Sequence, residues 1–252
     1  MIVKRIAMLT LMLSLTNSAM AGTIILSGDS NPLGALNGGF GVTPNDNARF
    51  FENVLGHGKT VGVISGNYAH GDIPVLNAFY NSLSGVSSTA ISGTLTTGNL
   101  ANISLLIVVM PDNAFTASEV SAVQGFLSAG KTLFIIGDNS TVANGGAINS
   151  DLIALGSALR IHLNVVDGGS LLATVANHQI LSDSLTAGVN RLTYGGLGIS
   201  TVSGGKALVL ASNKATPFIA VERSAVPEPG SMTLMMLGAT FLGGMLRLRH
   251  VL

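Results

Sequence analysis

The sequence predicts a mixed α/β domain, a three-layer sandwich with a mostly parallel sheet, over residues 22–223. Two observations predict this class. Leu105–Val109 is an apolar run without polar alternation, which is typical of a central parallel strand covered on both faces. A capped helix and a second apolar run, Thr132–Ile136, follow it, and strand, crossover helix and strand together form a βαβ unit.

The elements before this unit alternate in the same way. Thr23–Leu26 is a short apolar strand, and Thr43 at the N-cap, Pro44 at N1 and Asp46 in the first turn predict a helix start. Thr60–Ile64 is the next strand, after which Asp72 is expected to cap a second helix. The apolar residues at helical spacing in these two helices are Phe51, Val54 and Leu55, and then Leu76, Phe79 and Leu83.

The crossover helix of the βαβ unit has clear start and stop signals. Thr116–Glu119 has the form of a capping box, and Gly130 is expected to end the helix. Two short strands, Ala207–Leu210 and Phe218–Val221, are predicted near the end of the domain. The apolar stripe of the crossover helix is Val120, Val123 and Leu127, and that of one more predicted helix is Ile148, Leu152, Leu155 and Leu159.

Composition excludes several classes of protein. Only 10% of the 252 residues are charged, against roughly 25% in an average soluble protein, and this composition rules out a disordered chain or a coiled coil. The absence of Cys excludes a thiol nucleophile, an iron–sulfur cluster and a Cys-based zinc site. Residues 22–226 carry 8 basic and 11 acidic side chains, a net charge of −3, which argues against a nucleic-acid partner. No metal, cofactor or catalytic residue is predicted.

Residues 1–21 have the three parts of a secretory signal peptide. Lys4 and Arg5 precede an apolar run, and Ala19 and Ala21 provide the small residues at which signal peptidase cuts. We therefore expect export and a mature chain that begins at Gly22.

The other end of the chain is equally organised. A linker, 224–229, contains Pro227, Glu228 and Pro229, and the two prolines favour an extended peptide. The uncharged segment 230–246 would span about 25 Å as a helix, the short limit for a bilayer. The basic end, 247–252, would then remain cytoplasmic.

This tail resembles the PEP-CTERM sorting signal of Gram-negative bacteria. The resemblance rests on Pro227-Glu228-Pro229, the apolar segment and the basic residues Arg247 and Arg249. It implies that an exosortase-like enzyme processes the tail. The protein would be anchored transiently in the inner membrane and would then reach the cell envelope or the exterior, where exopolysaccharide is a candidate partner.

The core resembles the class I glutamine amidotransferase-like fold, and thus a flavodoxin-like three-layer sandwich. The resemblance rests on the order of strands and helices in the segments 110–140, 177–196 and 207–223. Catalytic members place a Cys on the turn after a strand, where this chain has Gly137-Asp138-Asn139-Ser140. The resemblance therefore implies the fold without the thiol chemistry, and a core that binds or assembles without catalysis.

Polar residues follow several predicted strands and would collect at one edge of a parallel sheet, where ligands bind in open α/β folds. Carboxylate and amide oxygens there suit a polar ligand, such as a sugar, or a hard cation such as Ca²⁺. The alternative is that each is an ordinary turn or N-cap residue, as proposed for Asp72. The candidate ligand residues are Asp29, Ser30, Asn67, Asp112, Asp138 and Asn139, with His70 and Asn113 beside them.

Gly28-Asp29-Ser30 also resembles the GDS block of SGNH esterases, in which the Ser is the nucleophile. That family uses a late Asp-x-x-His pair to activate the Ser, and no Asp here precedes a His at that spacing. His162 and His178 remain as unassigned bases. Three function classes therefore stay open: a non-catalytic surface protein, an envelope serine hydrolase, and a cation- or sugar-binding module.

The tail generates the first testable prediction. Replacing Pro227 and Pro229 by Ala should let a helix extend through the processing site, so that unprocessed protein accumulates in the membrane fraction. Deleting residues 230–252 should instead give a secreted core. Immunoblots of cell fractions, with mass spectrometry of the chain ends, measure both outcomes. Processing of the Ala variant at the normal rate would contradict the sorting-signal interpretation.

Overall fold

The computed structural model describes residues 22–36, 46–67, 69 and 71–223. These residues form strands and helices in alternation through the first two thirds of the domain and mainly strands after that. The strands are β1 (Thr23–Ser27), β2 (Thr60–Ser65), β3 (Ser87–Ala90), β4 (Leu105–Val109), β5 (Thr132–Ile136), β6 (Arg160–Ile161), β7 (Gly169–Thr174), β8 (Arg191–Gly196), β9 (Val202–Ser203), β10 (Lys206–Leu210) and β11 (Pro217–Arg223). The α-helices are α1 (Asn31–Gly34), α2 (Asn47–Leu55), α3 (Asp72–Ser82), α4 (Thr97–Leu100), α5 (Ala117–Ser128) and α6 (Gly145–Ala154).

A seven-stranded, mostly parallel sheet lies at the centre, in the order β10-β11-β1-β5-β4-β2-β3. The five strands from β1 to β3 in this order run parallel to one another. Strand β11 is antiparallel to both β1 and β10. The predicted mixed α/β class with a mostly parallel sheet is therefore confirmed. Two small antiparallel pairs, β6–β9 and β7–β8, lie outside this sheet.

Both faces of the central strands are covered, as their continuous apolar sequences require. Every residue of β4 is buried, and so are the residues of β5 after Thr132. Phe134 of β5 meets Phe50 and Phe51 of α2, with ring centroids 6.2 and 5.9 Å apart. Burial of such side chains contributes about 2–3 kcal/mol each and supplies the main driving force for folding.

The βαβ unit is formed as predicted. Thr116 and Glu119 make a reciprocal capping box: the Thr116 hydroxyl accepts from the Glu119 N–H, and the Glu119 carboxylate accepts from the Thr116 N–H at 2.9 Å. Val123 and Leu127 are fully buried, whereas Val120 is only partly buried. Gly130, just after the helix, has φ +77°, a left-handed conformation that favours Gly at this stop.

Two helices begin at other residues than predicted. Helix α2 starts at Asn47 with Asp46 at its N-cap, while Thr43 and Pro44 lie outside the described residues. The Asp46 carboxylate is engaged elsewhere, since it accepts hydrogen bonds from the N–H groups of Asn190 and Arg191 at 2.7 and 3.0 Å. In α3 the N-cap is Gly71, and Asp72 is the first helical residue without a capping bond. The prediction that Asp72 caps α3 is wrong.

Helix α6 ends earlier than its apolar periodicity predicted. Its last residue is Ala154, and Leu155 is the C-cap. Gly156 follows with φ +76°, which turns the chain away from the helix axis. Leu159 is fully buried but lies beyond the helix, just before β6. Its helical spacing was therefore coincidental, because the segment that leads into β6 buries the same residue.

Among the described residues, no helix is long and apolar enough to cross a membrane. The predicted signal peptide, 1–21, and the predicted membrane segment, 230–246, lie outside those residues.

Helix α6 also carries a buried acidic residue, Asp151, which is 1% exposed. Its Oδ1 accepts a hydrogen bond from the Phe115 N–H at 2.6 Å, whereas its buried Oδ2 has no partner among the described residues. Burial raises the pKa of Asp151 to about 6, and the charge of Glu119 also raises it, against the opposing effect of the Phe115 bond. The native state therefore holds a proton between about pH 4 and pH 6 that the unfolded chain has already released.

Stability should accordingly fall as pH rises through this window. We expect Asp151→Asn to gain about 2–3 kcal/mol of unfolding free energy relative to the native chain between pH 4 and pH 7.5, because the amide carries no charge. Urea unfolding at each pH measures the difference. Asp112→Asn, the same change at an exposed position, is the matched control. A flat difference for Asp151→Asn would refute the buried-charge explanation.

Candidate functional site

The candidate site begins in the tight loop after β1. Gly28 lies so close to Ser200 that an added Cβ would be 2.0 Å from the Ser200 carbonyl oxygen, so only Gly fits there. The Ser27 hydroxyl accepts from the Asp29 N–H at 3.2 Å and donates to the Asp29 carbonyl at 2.8 Å. This fixed loop turns the Asp29 side chain into the interior, where it is 1% exposed.

The Asp29 carboxylate connects the loop to the β7–β8 hairpin. Its Oδ1 accepts from the backbone N–H and the side-chain amide of Asn31, at 2.9 and 2.8 Å. Its Oδ2 accepts from the N–H of Gly195 at 2.7 Å. Three donors and no acceptor therefore face this carboxylate.

Asp138 lies at the end of the adjacent strand, because Ser27 of β1 pairs with Ile136 of β5 in parallel register. Its Oδ2 accepts from the Ser30 hydroxyl at 2.5 Å and from the Ser30 N–H at 3.3 Å. Its Oδ1 accepts from the N–H and the side-chain amide of Asn139, at 2.6 and 2.9 Å. The Asn139 amide also donates to the Gly198 carbonyl at 3.2 Å. The structure thus brings Asp29, Ser30, Asp138 and Asn139 together.

The acidic groups at this edge are electrostatically coupled. Burial raises the pKa of Asp29 well above its ordinary value, and the charge of Asp138 raises it further, against the hydrogen bonds from Gly195 and Asn31. Burial also raises the pKa of Asp138, against the bonds from Ser30 and Asn139. Asp72, at the start of α3, has a pKa raised to about 6 by burial and by the charge of Asp138. An additional negative charge would be unfavourable here.

A cavity of about 310 Å³ opens between this edge and the β7–β8 hairpin. Three of the predicted ligand residues line it. Asp29 does not line it, but it is hydrogen-bonded to the lining residues Asn31 and Gly195. The lining residues are Ser30, Asn31, Asp138, Asn139, Val142, Ser170, Thr193, Tyr194, Gly195, Gly196 and Leu197.

Asn67 and Asp112 meet each other but do not line this cavity. The Asn67 N–H donates to the Asp112 Oδ2 at 2.9 Å, at the ends of β2 and β4, and both residues are exposed. Asn113 is exposed beside them, and His70 lies outside the described residues. The polar edge therefore divides into a buried half around Asp138 and an exposed half around Asp112.

Sequence reasoning missed the hairpin wall of the cavity. Gly195 has φ +93°, and an added Cβ there would be 2.2 Å from the Gly169 carbonyl oxygen, so the Tyr-Gly-Gly segment passes close to β7. An added Cβ on Gly196 would collide with the Asn31 amide. Adjacent glycines after an apolar strand are a weak signal of such a close approach, and the sequence offers nothing that pairs them with β1.

In the described part of the chain, the structure does not bring together the side chains of a metal site or those of a Ser–His hydrolase site. No three His, Asp or Glu side chains there are placed to hold a metal ion. The Ser30 hydroxyl donates to Asp138, and none of the described histidines lines the cavity.

The residues predicted for processing lie outside the described residues, of which Gly22 is the first. They are the cleavage residues Ala19 and Ala21 and the sorting residues Pro227, Glu228, Pro229, Arg247 and Arg249.

Comparison with known proteins gives little beyond this geometry. No family model matches the chain, and no curated protein matches it. Among solved structures, a chain described as the "mmIFT52 N-terminal domain" is similar, with 15% identity and a TM-score of 0.42. That match covers 59% of this chain and 76% of the other.

The hydrogen-bond pattern around Asp29 generates a stability prediction. Both oxygens of Asp29 face only donors, and in Asp29→Asn an NH₂ group replaces one of them. Rotating the amide only moves this contact between two donors from the Asn31 side to the Gly195 side. We expect a net loss of about 1–3 kcal/mol of unfolding free energy, because Asp29, unlike Asp151, has donors on both oxygens, and a buried donor without an acceptor costs more here than the amide gains by removing the buried charge. Urea unfolding at pH 7.5 measures it, with Asp112→Asn as the exposed control. An Asp29→Asn variant as stable as that control would show that these bonds are not needed.

Proposed function

We propose that this chain is an exported protein of the cell envelope or extracellular matrix of a Gram-negative bacterium, with a PEP-CTERM-type tail. Signal peptidase and an exosortase-like enzyme are its proposed processing partners, and the membrane holds it transiently through residues 230–246. Support comes from the ordered signals at both ends of the sequence: the basic start with Ala19 and Ala21, and the Pro227–Pro229 motif with its basic end.

We further propose that the core is a non-catalytic binding domain whose ligand occupies the cavity beside Ser30 and Asp138. The observation that carries this proposal is the set of fixed cavity walls: loop, strand end and hairpin are joined by hydrogen bonds to two buried carboxylates. Ligand sites are commonly pre-formed in this way, at the carboxyl ends of parallel strands.

A three-layer arrangement of flavodoxin or amidotransferase-like type is part of the same proposal. It is supported by the burial of successive residues in the central strands, such as Ile24 and Ile25, which point to opposite faces of the sheet. The cavity then occupies the edge where ligands bind in such folds.

A serine hydrolase is the second candidate, because the Ser30 hydroxyl lies 2.5 Å from the Asp138 carboxylate. A carboxylate in that position could accept the hydroxyl proton. However, both Asp138 oxygens are already held by N–H donors of Ser30 and Asn139, and none of the described histidines lines the cavity to take up the hydroxyl proton. The geometry favours a Ser30 held in place over a Ser30 activated for attack.

A cavity-filling variant tests the binding function. The protein, purified as the cell processes it, is dialysed against a small-molecule and oligosaccharide extract of the envelope, and retained compounds are identified by mass spectrometry. Ser170→Trp should abolish retention because the indole would fill the cavity, whereas Ser84→Trp, at an exposed position outside the cavity lining, should retain the same compounds. If no compound distinguishes the native protein from Ser170→Trp, the cavity is not a binding site.

Hydrolysis of p-nitrophenyl esters separates the two candidates. For a binding domain, the native protein and Ser30→Ala should give the same slow rate. A faster rate in the native protein that Ser30→Ala removes would favour the hydrolase and contradict a non-catalytic core.

A further inference from the structure

The hydrogen-bonding atoms of the cavity fall into two groups: those whose capacity is used by the protein and those left for a ligand. We propose that the cavity binds an uncharged ligand rich in hydroxyl groups, such as a neutral saccharide of one or two rings. This inference rests on the proposed binding function and names the chemical class of its ligand.

Cations are disfavoured because the carboxylate oxygens are already occupied. Both Oδ atoms of Asp138 accept two hydrogen bonds each, from Ser30 and from Asn139. Asp29 accepts three and does not line the cavity. Hard cations require several oxygen ligands, and here those oxygens are turned towards protein donors.

Anions are disfavoured because the lining residues that the structure describes include no Lys, Arg or His. Asp138 lies in the wall, with Asp29 behind it and Asp72 close enough for the Asp138 charge to raise its pKa. A ligand carboxylate or phosphate would meet like charges in a partly desolvated cavity without a cation to offset them.

The capacity that remains suits hydroxyl groups, which both donate and accept. Ser30 donates its hydroxyl hydrogen to Asp138, and its oxygen can still accept a hydrogen bond from a ligand. The side-chain amide of Asn31 donates one hydrogen to Asp29, which leaves its second hydrogen and its oxygen for a ligand. Ser170 lines the cavity and is exposed, and its hydroxyl has no hydrogen-bond partner among the described residues, so it can both donate to a ligand and accept from it.

Apolar surface at the cavity suits the C–H face of a sugar ring. Leu197 is 78% exposed and lines the cavity, and Val142 lines it too. An exposed Leu beside a polar cavity is a surface that a ligand can cover. The volume of about 310 Å³ is at the lower end of the range for small-molecule sites, which limits the ligand to a short saccharide or the end of a longer one.

Sugars that share a ring and differ only in charge test this class. Isothermal titration calorimetry of the processed protein at pH 7.5 compares methyl hexosides and their N-acetyl forms with the matching uronic acids and amino sugars. We expect at least one uncharged sugar to bind about tenfold or more tightly than its charged counterparts. Equal or tighter binding of the charged counterparts, or binding only of a blocked neutral dipeptide used as a further probe, would overturn the class.

Two serine variants test the assigned contacts. Ser170→Ala should weaken binding of the preferred sugar about fivefold, the effect of one lost hydrogen bond, and it removes no bond within the described protein. Ser30→Ala should weaken binding similarly, while Ser84→Ala should bind like the native protein. Unchanged affinity in both Ser170→Ala and Ser30→Ala contradicts this arrangement.

Failure of the two proposals is distinguishable. If no probe of any class binds and dialysis retains nothing, the binding function itself fails. If charged sugars bind and Ser170→Trp abolishes that binding, the binding function stands and the uncharged class is wrong.

Discussion

Three parts of the domain that are distant in the sequence meet at one buried carboxylate, that of Asp29. It holds the first turn after β1, the amide of Asn31 and the N–H of Gly195 in the β7–β8 hairpin. The hairpin belongs to neither the central sheet nor its helices, so this carboxylate is a main polar connection between the sheet edge and the second wall of the cavity. Burying a carboxylate is costly, and the three N–H donors offset part of that cost.

The same donors determine what chemistry the edge can support. Strand ends that carry Asp, Asn and Ser suggest a cation site or a catalytic site when read one residue at a time. In the fold, the two carboxylates are occupied in holding Ser30, Asn31, Asn139 and Gly195 in place. Their charge shapes the electrostatics of the cavity, while the hydroxyl and amide groups they position remain available to a ligand.

The ends of the described domain lie far from this cavity along the strand direction. Thr23 pairs with Arg223, so the domain begins and ends at the amino end of β1, whereas Ser30 and Asp138 follow the carboxyl ends of β1 and β5.

The sequence by itself determined the elements whose signals are local: the buried strands β4 and β5, the capped helix α5 and their parallel pairing. It also identified Asp29, Ser30, Asp138 and Asn139, because parallel strands end at one edge. Only the tertiary structure decided that Asn67 and Asp112 lie apart from them, that Asp46 is the N-cap of α2, and that β8 supplies the facing wall. These features depend on contacts between residues more than 40 positions apart, such as Asp46 with Asn190 and Asp29 with Gly195. Local propensity and periodicity carry no information about such contacts, because their energy arises only when the chain is folded.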